Sequence, residues 1–244
     1  MNRHSAATAA QARRLDGAAN DLGVSPEELM AVAGFQCARL ALRLLANPHD
    51  PRTVAVLAGR GNNGGDALGC ARHLARWGCE VRALTWASDT DPRSSSARQV
   101  HAAQESGVEI RVPGGAAEGD LAWATRGAAL LVDGLLGTGS RGAPREEIAI
   151  AIAAANLSGA RILAVDLPSG LDADTGGAAG ECVRARFTLM LAAPKLGCLA
   201  ARARQFVGEL WLADIGAPAG AYLAVELDPP TFVGDGGLGR VQAA

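Results

Sequence analysis

The chain has 244 residues, 49% of them hydrophobic and 20% charged, with a formal net charge of −2. A length of this order suits one α/β domain with an ordinary core. The near-zero charge, without a basic stripe, argues against nucleic acid as the main partner, and no apolar run nears the ~20 residues of a membrane span.

Residues 5–21 and 26–46 read as two helices. The second has a strong start in Ser25-Pro26-Glu27-Glu28, with Ser25 as cap and Pro26 at the first helical position. Asn47-Pro48-His49-Asp50-Pro51 then turns the chain. From there a β-then-α rhythm predicts strands at 53–58, 80–85, 108–112, 128–132 and 161–166. Helices are predicted at 66–77, 93–106, 144–156 and, shorter, near 117–125. Strands such as Ala129-Leu130-Leu131-Val132 are apolar without alternation, which marks burial on both faces. The expected fold is therefore α/β, a Rossmann-like, mostly parallel sheet with helices on each side. Residues 187–191 and 209–213 read as further strands at an antiparallel or mixed edge, and the segment after about 217 as an irregular tail.

Five cysteines, Cys37, Cys70, Cys79, Cys182 and Cys198, form no C-x-x-C pair and are odd in number. They read as buried thiols in a reducing compartment rather than a disulfide framework or a zinc site. Met1 to Ser5 lack the apolar stretch of a secretory signal, so a soluble, cytoplasmic protein is expected. Of the 23 basic side chains only Lys195 is a lysine, which hints that this position wants a compact ammonium rather than a guanidinium fork.

The most informative stretch is Gly59-Arg60-Gly61-Asn62-Asn63-Gly64-Gly65-Asp66, between an apolar strand and a helical pattern. Glycines let a backbone approach a ligand closely, and a helix start offers unpaired N–H groups. The loop satisfies G-x-G-x-x-G, but no acid ends the second strand to hold a ribose, and no Lys-Ser or Lys-Thr follows the glycines. It is neither an ordinary dinucleotide fingerprint nor a phosphate loop. Ligands of doubly wound sheets bind beyond the strands' carboxyl ends. There the other strands deliver Asp133 with Gly137-Thr138-Gly139-Ser140-Arg141-Gly142, Asp166 with Leu167-Pro168-Ser169-Gly170, and Ala193-Pro194-Lys195. Singly, each could cap a loop or face solvent; together they suggest one site.

These motifs, in this order, resemble the NAD(P)H-hydrate epimerase family, also called the YjeF N-terminal domain. The resemblance runs from about Ala10 to Pro218 and treats residues 1–218 as that domain, with 219–244 as the tail. It implies a three-layer αβα sandwich, often a homodimer. It also implies repair of hydrated NADH or NADPH by interconversion of the R and S forms at C6, so that an ADP- or ATP-dependent NAD(P)H-hydrate dehydratase, specific for S, can use both. Carried over by motif, Asn62, Asn63, Gly64, Gly65 and Asp66, with Gly137, Thr138, Gly139, Ser140, Arg141, Gly142 and Ala143, would bind substrate. Asn63, Asp133 and Ser169 would bind a potassium ion. Asp166 would contact the reacting centre as acid and base, with Lys195 as an electrostatic partner.

The chemistry suits these residues. Protonation of the C6 hydroxyl lets water leave as the ring nitrogen forms an iminium, and water can return to the other face with a carboxylate as base. Two departures stand out. The family's Met-Glu-Asn-Ala-Gly reads Met30-Ala31-Val32-Ala33-Gly34 here, removing two polar side chains from a segment expected to face the site, and Ala67 replaces a usual glycine. No dehydratase-like domain follows residue 218, so that partner is expected as a separate chain or as part of a longer one. A non-catalytic nucleotide-binding module on the same fold is the competing reading; an ordinary dehydrogenase is disfavoured by the missing ribose acid.

Overall fold

A computed structural model describes residues 6–46, 52–87, 95–114, 117–232 and 235–241. The turn expected at Asn47–Pro51, and the first residues of the helices expected to start at 5 and 93, lie outside the described residues.

Two helices come first, α1 (Ala9–Asp21) and α2 (Pro26–Leu44). Each opens with a capping box, Thr8 with Gln11 and Ser25 with Glu28, which satisfies backbone donors that helix geometry leaves free. The alternating part follows as β1 (Thr53–Ala58), α3 (Asn62–Arg76), β2 (Glu80–Thr85), α4 (Ser95–Gln104), β3 (Glu109–Arg111) and α5 (Ala117–Thr125). It continues with β4 (Leu130–Gly134), α6 (Glu146–Leu157), β5 (Arg161–Val165) and β6 (Phe187–Leu191). Short helices α7 (Leu196–Leu199) and α8 (Arg204–Val207) lead to β7 (Glu209–Ala213), α9 (Ala219–Ala224) and β8 (Leu238–Arg240).

The eight strands form one sheet in the order β3-β2-β1-β4-β5-β6-β7-β8, parallel throughout except that β8 runs antiparallel to β7. The order reverses between β1 and β4, which makes the crevice above those two strands the expected ligand position. Alternate strand residues feed opposite cores. Val54, Val56 and Ala58 pack with α1 to α4, whereas Ala55 and Leu57 pack with α5 and α6. Helices on both faces of the sheet make the three-layer αβα sandwich, and explain why these strands carry no polar alternation.

Three expectations need correction. Strands β6 and β7 are parallel, because residues 192–208 fold as a crossover carrying α7 and α8; the antiparallel edge is β8. The segment after 217 is not irregular, since α9 packs on α1 and β8 extends the sheet. Gln36 and Arg39 of α2 fix that return by donating to the carbonyls of Asp214, Asp235 and Gly236. Helix α3 starts at Asn62, not Asp66, so most of the glycine motif is the first turn of a helix.

Candidate active site

Packing explains the glycines at the start of α3. A Cβ on Gly64 would overlap the Gly59 carbonyl, and one on Gly59 would overlap the Leu135 carbonyl after β4. Their absence draws the helix start against the switch point. Gly65 lies under the Met30 sulfur of α2. Gly64 and Gly65 do not line the cavity; they let Asn62, Asn63 and Asp66 do so.

A cavity of about 920 Å³ opens beyond the carboxyl ends of β1, β4, β5 and β6. Asn62, Asn63, Asp66, Asp166 and Lys195 line it, as do Gly137, Thr138, Gly139, Ser140, Arg141 and Ala143 from the loop after β4. Gly142, at φ 73°, turns that loop without lining the cavity.

At the floor, β5 and β6 end alike. Asp166 and Ala192 have φ of 66° and 60°, and each is the central residue of a tight turn in which Leu167 N–H donates to the Val165 carbonyl and Ala193 N–H to that of Leu191. Left-handed backbone in a non-glycine residue costs free energy and persists where the surroundings enforce it. Here the paired turns bring Asp166 against Lys195: Nζ lies 2.5 Å from Asp166 Oδ1 and donates to the carbonyls of Leu191 and Ala193 at 2.6 and 3.0 Å. Leu191 N–H donates to the same Oδ1 at 3.1 Å. All three ammonium donors are used in a pocket where Lys195 is 4% exposed, which gives the chain's one lysine its physical reason: a planar guanidinium does not fit three converging acceptors.

Asp133 and Ser169 sit one layer below and do not line the cavity. Asp133 Oδ1 accepts from Ser169 Oγ at 2.6 Å, and Oδ2 from Ser169 N–H at 2.9 Å. Burial nevertheless pushes the Asp133 carboxyl up to about 6, against the lowering effect of those bonds. Asn63 Nδ2 donates to the Leu136 carbonyl at 2.8 Å, while its Oδ1 is buried without a donor. A buried acceptor without a donor, with the oxygens of Asp133 and Ser169, is donor chemistry that suits a hard cation. Among the described residues no three His, Cys, Asp or Glu side chains form a metal site.

Asp16 on α1 escaped the sequence motifs. It lines the cavity with Ala12, Arg13 and Leu15, because Ala9 N–H donates to Asp174 and Ala7 pairs with the backbone at Lys195, which ties α1 across the site. The available signal was an acid inside the stripe Ala12, Leu15, Ala19 at helical spacing. Burial and the charge of Asp166 raise the Asp16 carboxyl, with Lys195 opposing. Asp66 is raised further, first by burial and then by Asp166 and Asp16.

The departure at Ala31 and Val32 falls away from the site. The cavity is lined from α2 by Pro26, Leu29, Met30 and Ala33; Ala31 is exposed and Val32 packs on the core. The expectation that these positions face the site is therefore corrected by the helix's rotation.

Fold and site together define a Rossmann-like α/β domain with acid–base groups at its switch point. A model of the family described as YjeF-related protein N-terminus matches residues 26–197. The NAD(P)H-hydrate epimerase of Rhodopirellula baltica is 41% identical over 165 residues, covering 68% of this chain and 66% of that protein. That of Dehalogenimonas lykanthroporepellens is 38% identical over 205 residues, covering 84% and 79%. The bifunctional NAD(P)H-hydrate repair enzyme Nnr of Escherichia coli is 39% identical over 202 residues, covering 82% of this chain and 37% of that protein. The chain thus spans less than two thirds of several relatives it matches, and well under half of the bifunctional ones. The crystal structure of yeast ynu0 (YNL200c) shares the fold, with a TM-score of 0.83 at 21% identity, covering 97% and 99% of the two chains. The chain belongs to the YjeF-related N-terminal family.

Proposed function

We propose that this protein epimerises hydrated NADH and NADPH at C6 of the damaged nicotinamide ring. The observation that carries this reading is the Asp166–Lys195 pair on the floor of a nucleotide-sized cavity, held by two strained strand ends. The names of its relatives support the same substrate. The start of α3 and the loop 137–143 bind the nucleotide body. Asp166 passes a proton drawn from the paired Lys195 ammonium to the departing hydroxyl, the ring nitrogen forms an iminium, and the Asp166 carboxylate takes a proton from water returning on the other face and restores the ammonium. The atoms balance, and only the configuration changes. Lys195 fixes the carboxyl's position and field.

Asn63, Asp133 and Ser169 hold a potassium ion in this reading, supported by the orphaned Asn63 Oδ1. When bound, the ion supplies a fixed positive charge beneath the start of α3. The consuming partner is an S-specific dehydratase, consistent with the bifunctional relatives. The loss of polar residues at 31 and 32 would favour a non-catalytic module only if these positions faced the site, and they lie off the cavity.

The test is a coupled assay. The mixed hydrates are given to an S-specific dehydratase until the S form is exhausted, and this protein is then added. Renewed NADH formation is expected; formation at the spontaneous rate alone would overturn the proposal.

A further inference from the structure

The strained end of β6 is held from the C-terminal part of the chain. Along residues 191–194 the backbone carbonyls alternate in what they meet. Those of Leu191 and Ala193 accept from Lys195 Nζ at 2.6 and 3.0 Å. That of Pro194 accepts from Ala7 N–H at 2.7 Å. That of Ala192, the centre of the turn, accepts from the hydroxyl of Tyr222 at 3.2 Å. Ala192 N–H donates to the Ala213 carbonyl of β7. Tyr222 is the chain's one tyrosine, is 3% exposed and lies on α9, beyond the residues 26–197 that the family model matches. Burial, and then the charge of Asp214, hold its phenol above the ordinary range, so it stays protonated and able to donate. Helix α9 is anchored to α1 in turn: Gln11 Nε2 donates to the Val225 carbonyl at 3.1 Å, and Arg14 to that of Ala224 at 3.3 Å.

We propose that Tyr222 is a positioning residue of the active site, whose hydroxyl keeps Ala192 left-handed and so keeps the flanking carbonyls aimed at Lys195. A φ of 60° is strained for alanine and persists only where neighbours enforce it. The two peptide planes that meet at Ala192 carry the Leu191 and Ala192 carbonyls. A donor on the Ala192 carbonyl resists rotation of one plane; without it the turn relaxes and the other plane swings the Leu191 carbonyl off the ammonium. Lys195 then has fewer acceptors and holds Asp166 less firmly. Tyr222 does not line the cavity, so it acts through the turn and not on substrate. The effect on turnover rests on the epimerase reading; the effect on the ammonium does not.

The test uses the fact that Lys195 is the chain's one lysine. Lysine labelled with ¹⁵N at Nζ gives the full chain a single ammonium resonance, read in mildly acidic buffer. In wild type it is expected away from the position of a solvated lysine. Tyr222→Phe, which removes only the hydroxyl, should move it at least about halfway to that position or broaden it by exchange with water. Adding Ala192→Gly should return it towards wild type, because glycine adopts φ 60° without strain. With the hydrates as substrate, Tyr222→Phe should lower kcat about tenfold with KM changed less than about twofold. In the Ala192→Gly background the same substitution should lower kcat less than about threefold. An unmoved resonance, a kcat within about twofold of wild type, a loss confined to KM or an equal loss in both backgrounds would overturn the inference. So would a Tyr222→Phe chain that does not fold, since the hydroxyl would then hold the core and not the site. Absence of turnover in wild type defeats the epimerase reading instead, and the ammonium resonance still decides the inference.

Discussion

Replacing Lys195 by methionine probes the feature on which the site depends. The substitution keeps an unbranched chain as far as Cε but removes an ammonium that is 4% exposed and contacts three oxygens. Asp166, whose side chain is 12% exposed, keeps only the Leu191 N–H as donor. Leaving one partner of a buried ion pair costs about 3–5 kcal/mol. Removing the charge as well, in Asp166→Asn with Lys195→Met, should recover about 1–2 kcal/mol of the summed single costs. It should not recover all, because the carbonyls of Leu191 and Ala193 still lack a donor. Urea unfolding of wild type, both single variants and the double variant measures this cycle. Single costs that add to within about 0.5 kcal/mol, or a Lys195→Met cost below about 1 kcal/mol, would refute the claim that the two side chains form one buried unit.

Other outcomes follow from the same geometry. Asp133 is raised from its ordinary 3.8 to about 6, so the folded state holds a proton that the unfolded state releases. Without potassium, stability from this group is therefore present below about pH 4 and is lost as pH rises through about 6, a change of up to about 3 kcal/mol. Potassium chloride should flatten that slope relative to tetramethylammonium chloride, and identical melting curves in the two salts across pH 5–8 would exclude the ion. Gly64→Ala should destabilise by more than about 2 kcal/mol, because its Cβ meets the Gly59 backbone rather than a movable side chain; a melting temperature within a degree of wild type would contradict that packing. Restoring the polar pair with Ala31→Glu and Val32→Asn should change kcat/KM less than about twofold, since neither position lines the cavity, and a gain of tenfold or more would contradict that rotation of α2.

Much of the layered sheet was legible because buried parallel strands are apolar on both faces, as in Leu130-Leu131-Val132. The residues at the strand ends were legible as types, and Lys195 by its rarity. What the sequence concealed was spatial. The parallel pairing of β6 and β7 depends on a crossover of short helices, whose period is too brief to read. Gly64 and Gly65 read as a ligand cradle, but they act through close approach to Gly59 and Met30, which only the assembled fold reveals. The side of α2 that faces the cavity could not be told from the departure at Ala31 and Val32 alone. Asp16 belongs to no motif, and its place in the site follows from the pairing of Ala7 with Lys195, far away in sequence.

The most direct measurement of the central claim starts from the purified R hydrate of NADH, with no dehydratase present. Chromatographic separation of R and S over time, with wild type and with Asp166→Asn, reports inversion at C6 itself. The account predicts that wild type brings either epimer to the same mixture, and that Asp166→Asn slows this by at least about a hundredfold while still binding nucleotide. Inversion at the uncatalysed rate with wild type, or undiminished inversion with Asp166→Asn, would contradict it.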